Sequence, residues 1–160
     1  MSQKALAEKL LSLAKARGLT VTTAESCTGG LVAGAITAIS GSSEIFERGF
    51  VTYSDEAKAE LLGVPAGLIA EFGAVSEAVA REMAAGALSR ARADLAVAVT
   101  GVAGPGGGGA AKPVGTVWFG LATRQRRVVA RHRLFTGDRD AIRAASVVFA
   151  LNLLIDGITE

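Results

Sequence analysis

The sequence predicts an α/β fold: a three-layer α/β/α sandwich around a mixed, mostly parallel sheet, with residues 1–160 forming a single domain. Three observations lead there. Helical and strand-like periodicities alternate through the first hundred residues. Leu95-Ala-Val-Ala-Val-Thr100 is a continuous apolar run, the mark of a central strand buried on both faces. Two β-prone segments, 114–123 and 128–135, flank residues 124–127 and read as a hairpin that closes the sheet.

Each element has its own reason. Residues 2–17 form an amphipathic helix with Leu6, Leu10 and Leu13 on one face, Lys4, Lys9 and Lys15 off it, and Gly18 as C-cap. A strand runs to Ala24, and a second helix spans about 30–39. Ser40-Gly41-Ser42-Ser43 reads as a loop or cap, and 46–53 as a second strand. Ser54 caps a helix with Asp55 and Glu56 in its first turn, ending near Gly63. Pro65 opens a short helix that Gly73 ends. Ser76-Glu77 starts a long helix with Val79, Met83, Ala87 and Leu88 inward. After the hairpin, Asp138 or its neighbour caps a last helix with Ile142, Ala145, Phe149 and Leu153 inward.

Composition excludes several chemistries. Half of the 160 residues are apolar and a fifth are charged, an ordinary globular balance. A net charge of +2 is too small to argue for nucleic acid. No apolar stretch of membrane-spanning length is read, nor a signal-peptide core, so no membrane partner is expected. One cysteine cannot form an intramolecular disulfide, which makes a reducing cytoplasm the expected compartment. With one cysteine and one histidine, no Cys/His zinc site fits within the chain, and neither metal nor cofactor is expected. His132 lies between Arg131 and Arg133 on a strand and reads as solvated. A nucleophile here therefore needs another base, and lysine is the usual substitute.

Four constellations are candidates for a site. Thr22-Thr-Ala-Glu-Ser-Cys-Thr-Gly-Gly30 places hydroxyls, a thiol and two glycines at a strand-to-helix turn, where backbone N–H groups point toward an incoming anion. The loop 101–113 holds six glycines and two prolines beside Thr100. It formally contains G-x-G-x-x-G but leads into a strand, so it is no dinucleotide fingerprint. Ser42 and Ser43, Tyr53 and Lys58 form the third group. Lys58 stands near the positive end of its helix, which disfavours its ammonium form. Thr136-Gly-Asp-Arg139, with Arg143 one turn on, offers guanidinium groups to a phosphate or carboxylate.

Together these pieces resemble the CinA C-terminal domain family. The resemblance rests on Val21-Thr-Thr-Ala-Glu-Ser-Cys-Thr-Gly-Gly30, Phe50-Val-Thr-Tyr-Ser54 with Lys58, Gly73-Ala-Val-Ser-Glu77, Thr100-Gly-Val-Ala-Gly-Pro105, Lys112-Pro-Val-Gly-Thr116 and Gly137-Asp-Arg139. It spans essentially the whole chain and looks like the stand-alone form of the domain. Characterised members are nicotinamide-nucleotide amidases. The resemblance thus implies hydrolysis of the carboxamide of nicotinamide mononucleotide (NMN) by a serine–lysine mechanism without metal. It implies Ser43 as first-choice nucleophile, with Ser26 the alternative. Lys58 is then the general base and Tyr53 its support. Ser26, Thr28, Gly29, Thr100, Gly101 and Gly104 would line the pocket. Arg139, or Arg143, would contact the phosphate. A homo-oligomer, a dimer first, is expected. The long alanine-rich helix 77–91 serves either that interface or the core. The alternative reading is a non-catalytic nucleotide-binding or competence-associated interaction module.

Overall fold

The computed structural model describes residues 1–125 and 127–160; Arg126, in the expected hairpin turn, lies outside them. The chain begins with α1 (Gln3–Arg17), which Ser2 caps by accepting from the Ala5 N–H at 3.1 Å. Then come β1 (Val21–Glu25), α2 (Leu31–Thr37) and a 3₁₀ turn at Ser42–Glu44. β2 (Phe50–Val51) leads to α3 (Asp55–Leu62) and α4 (Ala66–Phe72), and α5 (Glu77–Arg90) precedes β3 (Leu95–Gly101). The hairpin is β4 (Thr116–Thr123) and β5 (Val128–Leu134), and α6 (Arg139–Thr159) closes the chain. Ser54, Ser76 and Asp138 each cap the helix that follows through a side-chain oxygen, as their sequence positions predict.

The sheet order is β2-β1-β3-β4-β5. β1 pairs parallel with both β2 and β3, whereas β3–β4 and β4–β5 are antiparallel. The sheet is mixed as expected, but parallel pairings make up half of it rather than most, because the late hairpin supplies two strands. β3 is central and buried on both faces. One core, built from α1, α2 and α6, covers one face, with Leu10, Ile36, Phe119 and Leu151 fully or nearly fully buried. The other, under α3, α4 and α5, is built from Leu62, Val79, Met83 and the small residues of β3. The alanine-rich α5 thus serves the core: Val79, Ala80, Met83, Ala84 and Ala87 are buried against the sheet within one chain.

Two expectations change. The sequence predicts a second strand over 46–53, yet only Phe50–Val51 forms a ladder, with an isolated bridge from Phe46 to Val21. Ala24 pairs with Phe50 and Val21 with Phe46, so four steps on one strand face three on the other. The extra residue bulges, and Thr22 Oγ1 donates to the freed Arg48 carbonyl at 2.7 Å. Gly49 allows this, since a Cβ there would collide with Thr23 Oγ1. Second, α6 is long and apolar enough to cross a membrane. Its apolar width has another cause: it lies between α1, α2 and the sheet, which bury Ile142, Val147, Leu151, Leu154 and Ile158.

Candidate active site

β1 and β3 are parallel neighbours whose chains leave in opposite directions, β1 toward β2 and β3 toward β4. A crevice opens at the carboxyl ends of such strands. Ser26 and Cys27 leave β1 there, and Val102 to Gly107 leave β3. Ala74 and Val75, from the turn before α5, form a further wall. Thr100 ties that wall to the sheet by donating to the Ala74 carbonyl at 2.9 Å. The cleft holds about 320 Å³, a size suited to a small ligand.

The turn after β1 is built around a residue that the sequence reading passed over. Glu25 is fully buried. Its carboxylate accepts from Thr28 Oγ1 at 2.7 Å and from the backbone N–H groups of Val32 at 2.8 Å and Ala33 at 3.0 Å. Gly30, at the N-cap of α2, has no side chain to do this. The protein's own carboxylate therefore fills the anion position that the glycine turn offers. Two of the expected site residues stand apart from the cleft. The Thr28 hydroxyl is spent on Glu25, and neither Thr28 nor Gly29 lines the cleft. Arg143 braces the same turn from behind, donating to the carbonyls of Cys27 at 3.1 Å and Thr28 at 3.4 Å.

Lys58 enters from α3 and is 1% exposed. Its Nζ lies 3.0 Å from Ser26 Oγ, 3.0 Å from the Thr52 carbonyl and 3.4 Å from the Ser54 carbonyl. Burial lowers its pKa from the usual lysine value, and Asp55 and Cys27 oppose that shift in part. The three oxygens match the three hydrogens of an ammonium; in the neutral form, with two hydrogens kept on the carbonyls, the lone pair would face Ser26 Oγ. The neighbouring Cys27 thiol is pushed up to about 11, chiefly by burial. The Cys27 N–H has no oxygen acceptor among the described residues.

Ser43 stands elsewhere. It is exposed on the 3₁₀ turn, and the chain there docks at the amino end of β1, where the Ile45 carbonyl accepts from the Val21 N–H at 2.7 Å. α2 has carried it back along the whole strand, roughly 15 Å from the carboxyl end. The structure thus joins Lys58 to Ser26 and places Ser43 apart from both. Of the other expected residues, Tyr53, Thr100, Gly101, Gly104 and Arg139 all line the cleft. Arg139 donates to the Gly104 carbonyl at 2.7 Å and to Tyr53 Oη at 3.2 Å, bridging two rims of the opening. His132 is exposed on β5, its ring 5.0 Å from that of Trp118. Among the described residues, no three His, Cys, Asp or Glu side chains cluster so as to hold a metal ion.

The model of the CinA C-terminal domain matches residues 3–158. The chain belongs to this family. It is 58% identical over 149 residues to nicotinamide-nucleotide amidohydrolase PncC of Escherichia coli strain K12, covering 93% of this chain and 90% of that protein. Among solved structures, the competence/damage inducible protein CihA of Agrobacterium tumefaciens superposes with a TM-score of 0.95 at 48% identity, covering 99% of this chain and 96% of that one. The competence damage-inducible protein A of Klebsiella pneumoniae gives 0.96 at 40% identity, covering 100% and 99%. The CinA fold is thus shared along the whole chain, and the Ser26–Lys58 cleft sits within the matched region.

Proposed function

We propose that this CinA-family chain is a nicotinamide-nucleotide amidase, hydrolysing the carboxamide of NMN to nicotinate mononucleotide and ammonia. The observation that carries the mechanism is the Lys58 Nζ–Ser26 Oγ contact of 3.0 Å between two buried side chains at the base of the cleft. The similarity to a protein named for this activity supports the substrate.

In this reading Ser26 is the nucleophile. Neutral Lys58 takes the Ser26 proton as Oγ bonds to the amide carbon, and the carbonyl electrons move onto oxygen. The backbone N–H of Cys27, the next residue in the chain, is the donor assigned to that oxygen. The Lys58 ammonium then protonates the departing nitrogen, ammonia leaves, and an ester to Ser26 remains. Water, activated by the amine again, releases the acid and restores the hydroxyl. Arg139 and Tyr53 stand at the rim, where a guanidinium suits the phosphate end of the substrate. Anchoring that end positions the amide and discriminates against free nicotinamide.

The proposal includes residues 1–160 as one domain working as a cytoplasmic homodimer. The single free cysteine suits a reducing compartment; light scattering tests the dimer. The test of the activity is ammonia release from NMN in EDTA by the wild type and by Ser26→Ala, Lys58→Ala and Ser43→Ala. Turnover persists in EDTA. Ser26→Ala and Lys58→Ala each lose about a thousandfold or more of kcat. Ser43→Ala stays within about twofold, as an exposed substitution should. Loss in Ser43→Ala with retention in Ser26→Ala overturns the assignment.

A further inference from the structure

Two segments wall the cleft without belonging to a regular element: 73–76, before α5, and the glycine loop 102–113. Ala74 and Val75 line the space from one, and Val102, Gly104, Gly106 and Gly107 from the other. Thr100 holds the first segment to the sheet. The outer arm of the glycine loop has its own fastening. Lys112 Nζ donates to the Phe72 carbonyl at 2.6 Å, across forty residues of chain.

The chemistry of that contact is specific. Phe72 is the last residue of α4, and terminal helix carbonyls lack partners within the helix and carry partial negative charge. An ammonium is a matching donor. Gly73 makes room for it: φ is +78°, and a Cβ there would stand 2.8 Å from Lys112 Nζ. The loop side is equally defined. The Lys112 carbonyl accepts from the Gly109 N–H at 3.0 Å, and the next carbonyl, of Pro113, accepts from the Thr116 N–H and hydroxyl. The lysine therefore sits in a folded arm anchored to β4 and reaches back to the opposite wall. It does not line the cleft. The mechanism above gives it no part.

We propose that Lys112 is a positioning residue: it ties the glycine loop to the end of α4 and so sets the closure of the cleft over the substrate, without touching the reacting atoms. This rests on the amidase reading of the site. Held in place, the loop presents Gly104, with Arg139 bonded to its carbonyl, at the mouth. Released, the loop keeps its ends in β3 and β4 but loses its tie to α4, while Ser26 and Lys58 keep their geometry.

The test compares Lys112→Met and Lys112→Arg with the wild type in the full chain. Steady-state turnover of NMN, NMN affinity by calorimetry and amide hydrogen exchange are measured on each. For Lys112→Met, KM and Kd for NMN rise about twofold to fivefold, the effect of losing one exposed charge-assisted hydrogen bond, while kcat stays within about twofold. Exchange at 73–76 and 102–109 rises together. Lys112→Arg, which keeps a donor to Phe72, restores most of the affinity. Unchanged KM, Kd and exchange overturn the proposal, and so does a fall in kcat that tracks a drop in melting temperature. Wild-type protein that binds NMN without hydrolysing it refutes the amidase reading instead. The Kd and exchange comparison still decides the role of Lys112 in that case, and unchanged loop exchange overturns it whatever ligand is bound.

Discussion

Replacing Glu25 by glutamine tests whether a buried carboxylate, rather than a ligand, organises the Ser26 turn. The carboxylate serves three donors. Glutamine can keep its carbonyl oxygen on Thr28 and the Val32 N–H, but its amide group then faces the Ala33 N–H, donor against donor. An unpaired buried N–H costs about 1–3 kcal/mol. Losing the negative charge at the start of α2 costs about 0.5–2 kcal/mol more. Removing a buried charge returns part of this as relief of desolvation. The expected net loss is about 2–4 kcal/mol, or roughly 5–15 °C in melting temperature for a chain of this size. Urea unfolding followed by Trp118 fluorescence measures it, with the denaturant slope unchanged. Activity should fall with stability, because Ser26 is the residue after Glu25. Glu25→Asp, one methylene short, should lose an intermediate amount. A Glu25→Gln protein within about 0.5 kcal/mol of the wild type would refute the account of this turn.

Three further outcomes follow from the site. The general base must be the neutral amine, and the Lys58 pKa lies below the ordinary lysine value. kcat/KM for NMN should therefore rise with pH along a limb centred below about 10.4; a profile that falls from pH 6 to 9 contradicts a lysine base. Asp55 favours the Lys58 ammonium, so Asp55→Asn should move that limb to lower pH, read from the same profile. Cys27, with its thiol pushed up to about 11, should be nearly inert at neutral pH. At pH 7.5 its thiolate fraction is about 100-fold below that of an unperturbed cysteine, so labelling by a maleimide or disulfide reagent should be slow until the chain is unfolded.

Much of this architecture was legible because it is written locally. Ser2, Ser54, Ser76 and Asp138 each sit just before an apolar helical period, and each caps its helix. The apolar run of β3 was sufficient to place it at the centre. What escaped depends on partners distant in sequence. The length of β2 is set by a bulge against β1, which no local pattern announces. Glu25 read as one polar letter in a turn motif. Its signal was indirect: a carboxylate ending a buried strand, followed by a helix whose N-cap is a glycine and so has no side chain of its own to offer.

The choice between Ser26 and Ser43 shows how topology overrules chain distance. Ser43 is 15 residues from Lys58, and Ser26 is 32. Yet β1 and β2 are parallel, with Glu25 opposite Val51. Parallel strands end at the same edge of the sheet, so the residue leaving β1 emerges beside the residue leaving β2. Ser26 therefore meets Thr52, and the Thr52 N–H donates to the Glu25 carbonyl at 2.8 Å. Lys58 lies just beyond the first turn of the helix that follows, where its side chain folds back onto the carbonyls of Thr52 and Ser54 and reaches the serine. The same crossover that makes β1 and β2 parallel sends the segment between them to the opposite edge. A serine in that segment is near Lys58 along the chain and a strand length away in space. Once two strands are assigned as parallel neighbours, the residues just past their ends are the candidates for a shared site, and those midway between them are not.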